Sequence, residues 1–142
     1  MYCRMYRNEI ELEISDVVTK FKAKTSENFH HIDGMSAEEI ENIVSDYIQE
    51  QINENSLDVK IVSVTIYGSR CKGMENNNSD LDVILEYIGS IREDNLFNIL
   101  NESKMKIGSI EVDINPITEN ETGRLDEYLL LADSYMKDYS RY

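Results

Sequence analysis

The chain has 142 residues, enough for one domain with a sizeable core and too few for two. Fourteen Lys and Arg stand against 28 Asp and Glu, a net charge of −14, which argues against a scaffold for long nucleic acid and against an anionic membrane surface. Apolar residues make up 41%, too many for a disordered acidic segment, and their runs are far too short to span a bilayer.

The first residues, Met1 to Arg7, carry no apolar stretch of the secretory kind, so a cytoplasmic location is expected. Cys3 and Cys71 give no disulfide framework, in keeping with a reducing compartment. No C-x-x-C, Cys/His cluster or H-E-x-x-H is present, so zinc has no signature. His30 and His31 are adjacent, their side chains diverge, and they read as surface histidines. Residues 1–35 form an N-terminal extension, and 36–142 the domain proper. In the extension, Ile10, Ile14, Val17, Val18 and Phe21 share a helix face, although residues 9–14 also alternate like a strand. Lys22 to Gly34 is polar and reads as a loop.

Ser36 and Glu39 make a capping box, and Ile40, Ile43, Val44, Tyr47, Ile48 and Ile52 follow at helical spacing to about Asn53. Lys60 to Tyr67 reads as a strand with Val62, Val64 and Ile66 on one face. A second strand is expected from Leu81 to about Tyr87, and a helix over Glu93 to Ser103. Gly108-Ser109 is a hairpin turn between Met105–Ile107 and Ile110–Ile114. Pro116 closes the last strand, and Thr122 is placed to cap a helix through Leu125, Tyr128, Leu129, Ala132 and Met136. The order predicts an α/β (α+β) fold, a small mixed sheet flanked by helices. Tyr135, Tyr139 and Tyr142 near the C-terminus read as packing or interface residues.

Gly68-Ser69 directly follows a β-branched strand. Glycine there permits a sharp turn and close approach of a ligand, and a helix beginning at Ser69 would offer free amides to an anion. Asp80 and Asp82 are two apart at the mouth of the next strand, so period-2 geometry puts both on one face, opposite Leu81, Val83 and Leu85. Paired carboxylates repel unless a cation lies between them, and a hard ion such as Mg²⁺ suits oxygen donors while leaving positions for phosphate. Asp113 alternates with Val112 and Ile114 and supplies a third carboxylate. A phosphate cradle with three acids is the equipment of metal-assisted phosphoryl transfer. Cys71 lies between Arg70 and Lys72, but with no histidine near in sequence it reads as a packing residue rather than a reactive thiol.

Gly68-Ser69-Arg70-Cys71-Lys72-Gly73, a spacer, and Ser79-Asp80-Leu81-Asp82 resemble the signature of the polymerase-beta-type nucleotidyltransferase superfamily. The minimal nucleotidyltransferases, small antitoxin-like proteins paired with helical partners, are the most similar branch, and the resemblance covers about residues 57–117. It implies that Gly68 and Ser69 hold a nucleoside triphosphate, with Arg70 and Lys72 neutralising its charge. Asp80 and Asp82 would ligate two Mg²⁺ (or Mn²⁺) ions, with Asp113 as third carboxylate and base. Cys71 stands where a small residue is usual, and residues 1–35 have no counterpart. The implied activity is transfer of AMP from ATP to a hydroxyl on a protein partner such as a cognate toxin. An alternative of another class is an acidic, non-catalytic module that blocks a basic partner.

Overall fold

The computed structural model describes residues 17–131, so the readings at Cys3, Ile10, Ile14, Ala132, Tyr135, Met136, Tyr139 and Tyr142 lie outside the described residues. Helix α1 covers 17–28, α2 Ala37–Glu54, and strand β1 Val59–Tyr67. A single 3₁₀ turn, Arg70–Lys72, precedes β2, Leu81–Gly89. Then come α3 (Glu93–Asn101), β3 (Lys106–Ile107), β4 (Ile110–Ile117) and α4, which starts at 125 and is helical through 131.

Local chemistry sets the ends of α2. The Glu39 amide donates to Ser36 Oγ at 3.3 Å, and the Glu39 carboxylate returns to the Ser36 hydroxyl at 3.3 Å. Ile40, Val44, Ile48 and Ile52 form its buried stripe. The polar stretch read as a loop is helical as far as residue 28. Its helicity comes from tertiary contact: Phe21 packs on the core, Thr25 is buried with its hydroxyl on Phe21 O, and Lys22 reaches across to β1.

The sheet order is β1-β2-β4-β3. β1 runs antiparallel to β2, β2 parallel to β4, and β3 and β4 form the expected hairpin over Gly108 (φ +60°). The parallel step requires a crossover, and α3 lies on it. β1 departs from strict alternation. The register slips between Ile61 and Ser63, and Val62 is left 50% exposed instead of joining Val64 and Ile66 in the core.

Both long edges of the sheet are closed by side chains. On β1, Lys22 Nζ donates to Val64 O at 3.2 Å and Glu41 Oε2 accepts from Ile66 N at 2.9 Å. Lys22 and Glu41 also pair with each other at 3.8 Å. On β4, the Asn101 amide of α3 takes both backbone groups of Ile114, each at 2.9 Å. An edge plugged in this way offers no template to a second strand.

The two sheet faces are covered separately. Val64, Ile66, Leu81, Val83, Leu85, Tyr87, Val112 and Ile114 bury one face under α2 and α3. On the other, Ile84 and Ile117 meet Leu125 and Leu129 of α4, with Val17, Val18 and Phe21 of α1 beside them. Thr122 does not cap α4: its amide and hydroxyl both donate to Glu93. The Leu125 amide goes to Glu86 Oε2 of β2 at 3.1 Å, so α4 is capped by the sheet it covers. Among the described residues, no helix is long and apolar enough to cross a membrane.

Candidate active site

The register of three strands builds the site. Tyr67 of β1 pairs with Asp82 of β2, and Asp82 pairs with Asp113 of β4, so the three side chains form one row on the same face. Asp80 lies just before β2, exposed at the end of the loop. Asp82 is only partly exposed. Its carboxyl is held above the ordinary aspartate range, first by burial, then by the charges of Asp113 and Asp80. The predicted carboxylates thus feel one another across the sheet, and that mutual repulsion is what a divalent cation would relieve.

Donor type and charge fit a hard cation: three carboxylate groups, with the nearest guanidinium turned elsewhere. Among the described residues, no three acidic, His or Cys side chains are drawn together as a ready ligand shell. Asp82 and Asp113 stand on neighbouring strands about 4.8 Å apart, a separation that side-chain rotation can close around one ion. Asp82, with Asp80 and Asp113 on either side, is the group that would hold it.

Gly68 sits at φ +82°, and a Cβ there would lie 2.7 Å from Asp82 Oδ2. The left-handed backbone favours glycine, and a Cβ would in addition push the Asp82 carboxylate aside. Ser69 follows, exposed, with a side chain that makes no capping bond. No α-helix begins at Ser69, and the chain makes the 3₁₀ turn closed by Gly73 at φ +67°. Three residues carry no useful macrodipole, so a phosphate here relies on the Ser69 hydroxyl and on Lys72, which is exposed.

Arg70 is buried, and its Nε and Nη2 both donate to Ser79 O, at 3.0 and 2.8 Å. The guanidinium ties the start of the loop to the residue before Asp80, which makes Arg70 a positioning residue. Cys71 is buried as well: its thiol donates to Gly68 O, and burial pushes its ionisation up despite Lys72. Both side chains stiffen the Gly68–Asp82 loop from inside. His30 and His31 are exposed, and His30 Nδ1 meets Glu75 Oε2 at 2.6 Å, which secures the loop to the end of α1.

Tyr67 and Asn115 belong to the site although sequence reading did not assign them to it. Asn115 Nδ2 donates to Tyr67 Oη at 3.0 Å. The Tyr67 hydroxyl is raised well above the usual phenol range by burial, then by Tyr128 and by the Asp82 and Asp113 charges. The signal was available: Asn115 shares the alternation of Asp113, and Tyr67 ends the strand that delivers Gly68.

Residues 38–130, more than half of the chain, match the family model described as Polymerase beta, Nucleotidyltransferase. No curated protein and no solved structure matches. The matched span holds the glycine-serine turn, both strand-end aspartates and the parallel strand that brings Asp113 beside Asp82. The chain therefore belongs to the polymerase-beta-type nucleotidyltransferase superfamily.

Proposed function

We propose that the protein is a metal-dependent nucleotidyltransferase that moves AMP from ATP to a hydroxyl on a protein partner, in the manner of a minimal, antitoxin-like member of the superfamily. The observation that carries this reading is the Asp82–Asp113 register, with Asp80 at the same end and Gly68 packed on Asp82. Mg²⁺, when bound, would supply Lewis-acid stabilisation of the entering and leaving oxygens. Asp80 and Asp82 hold that charge in place, and Arg70 keeps Asp80 at the mouth of β2 through its two bonds to Ser79 O. Ser69 Oγ donates to a phosphate oxygen, and Lys72 screens the triphosphate. Asp113, exposed at the end of the row, takes the proton of the attacking hydroxyl. A charge of −14 favours a basic polypeptide acceptor over RNA.

The test is calorimetry of ATP with Mn²⁺ or Mg²⁺. Binding is expected with metal and is expected to vanish in EDTA and in the Asp80→Asn, Asp82→Asn double variant. Equal affinity with and without metal would overturn the reading. If the double variant keeps every effect on the partner, the acidic module that works by blocking a basic partner takes its place.

A further inference from the structure

A second binding surface adjoins the carboxylates. Ile84 and Asn115 are paired in register two residues beyond Asp82 and Asp113 on the same face, roughly 7 Å along the strands. They belong to an open cleft of about 350 Å³ that is walled by Tyr67, Tyr128 and Phe97. Tyr67 and Tyr128 meet edge to face, with centroids 6.1 Å apart. The inner end of the cleft is the Tyr67–Asn115 hydrogen bond beside the active-site row.

The outer end is acidic. Glu93 and Asp94 line it, and the Glu93 amide donates to Glu121 Oε2 at 2.8 Å, which sets a third acid behind them. The Glu93 carboxylate accepts from the amides of Thr118 and Thr122 and from the Thr122 hydroxyl. These donors are neutral, so they fix the group and leave its charge uncompensated. Arg92 meets Asp94 at 3.6 Å in an exposed pair worth little. The field of Glu121, Glu93 and Asp94 reaches the buried Tyr87 hydroxyl and, after burial, helps push it up to about 12.

An aromatic-walled, aliphatic-floored cleft with acids at its mouth suits a cation on an apolar stem. We propose that it receives a lysine or arginine side chain of the protein partner, adjacent to the hydroxyl that accepts the nucleotidyl group. This deepens the transfer reading above and rests on it. The stem would lie against the exposed Phe97, above the buried Ile84 and Ile117, with the cation near Tyr128 and the acidic mouth. The geometry then measures acceptor sequence: a basic residue one side-chain length from the modified hydroxyl.

The test uses the full chain, a capped tripeptide of arginine between two glycines, and the same peptide with citrulline, followed by amide NMR shifts in EDTA. The arginine peptide is expected to move Phe97, Asn115, Thr122 and Tyr128. Citrulline in its place, Phe97→Ala and Asp94→Asn should each weaken binding by roughly three- to tenfold. Phe97→Ala should leave Mn²⁺-ATP affinity unchanged. Equal binding of citrulline, or shifts spread over the acidic surface, would overturn the proposal. So would Mg²⁺-ATP, added in a parallel titration without EDTA, moving the same amides and displacing the peptide, because the cleft would then serve the nucleobase. A chain that binds the arginine peptide but not Mn²⁺-ATP supports the cleft and sinks only the transfer reading.

Discussion

Two rows cross the same three strands one residue apart. Ile66, Val83 and Ile114 form the row on the face under α2 and α3, all fully buried. Tyr67, Asp82 and Asp113 form the next row on the opposite face, and there burial first, then the charges of Asp113 and Asp80, lift the Asp82 carboxyl. The first row stabilises the sheet through burial of apolar area. The second row costs stability and is tolerated because the first, under α2 and α3, is well packed. A strand period of two is what lets one backbone carry both without either spoiling the other.

The comparison breaks most sharply at two consecutive residues of β4. Asp113→Asn should lower AMP transfer by roughly 10²–10⁴-fold, the usual worth of a positioned base, with the thermal midpoint not lowered, because the charge beside Asp82 is removed. Near wild-type turnover would make Asp113 a bystander. Ile114→Ala should do the reverse, with an unfolding free energy lower by about 2–5 kcal/mol in urea and per-molecule turnover kept. If Ile114→Ala instead abolished turnover in a folded sample, the separation of the two rows would be wrong.

A smaller effect is expected at the β1 edge, behind the apolar row. Glu41→Ala strips the Ile66 amide of its acceptor and should cost about 1–3 kcal/mol. It also unplugs the strand, so sedimentation should show concentration-dependent self-association. A variant that stays monomeric and fully stable would show that the plug is dispensable.

The smallest effect sharpens the cost of the polar row. Asp82 is raised above its ordinary 3.8, so the folded site favours its protonated form. Its contribution is fully present below that ordinary value and is lost as pH rises through the folded value. Asp82→Asn in EDTA should therefore raise the melting temperature at pH 7 by a few degrees and give little gain near pH 3. A gain of equal size at both pH values would mean that the carboxylate charge is not its origin.

Much of this was legible in one dimension. The Ser36 cap, the alternation of Leu81, Val83 and Leu85 and the hairpin at Gly108 depend on neighbours in sequence, and each stands in the structure. The gap between Gly68 and Asp80 was readable because it is a loop between two recognisable strands. The part of α1 after Phe21 was not, since this polar stretch is held by the buried Thr25 and by Lys22 reaching across to Val64 O of β1. The family resemblance implied that Arg70 neutralises triphosphate charge, and only the folded loop shows its guanidinium turned onto Ser79 O. Val62 left the core through a register slip that no alternation pattern announces. Sequence alone determined which residues could share a face, because that follows from the backbone repeat. Only the tertiary structure decided which strand stands beside β2, since strand order depends on the α3 crossover and the burial of both faces, and that choice sets Asp113 against Asp82.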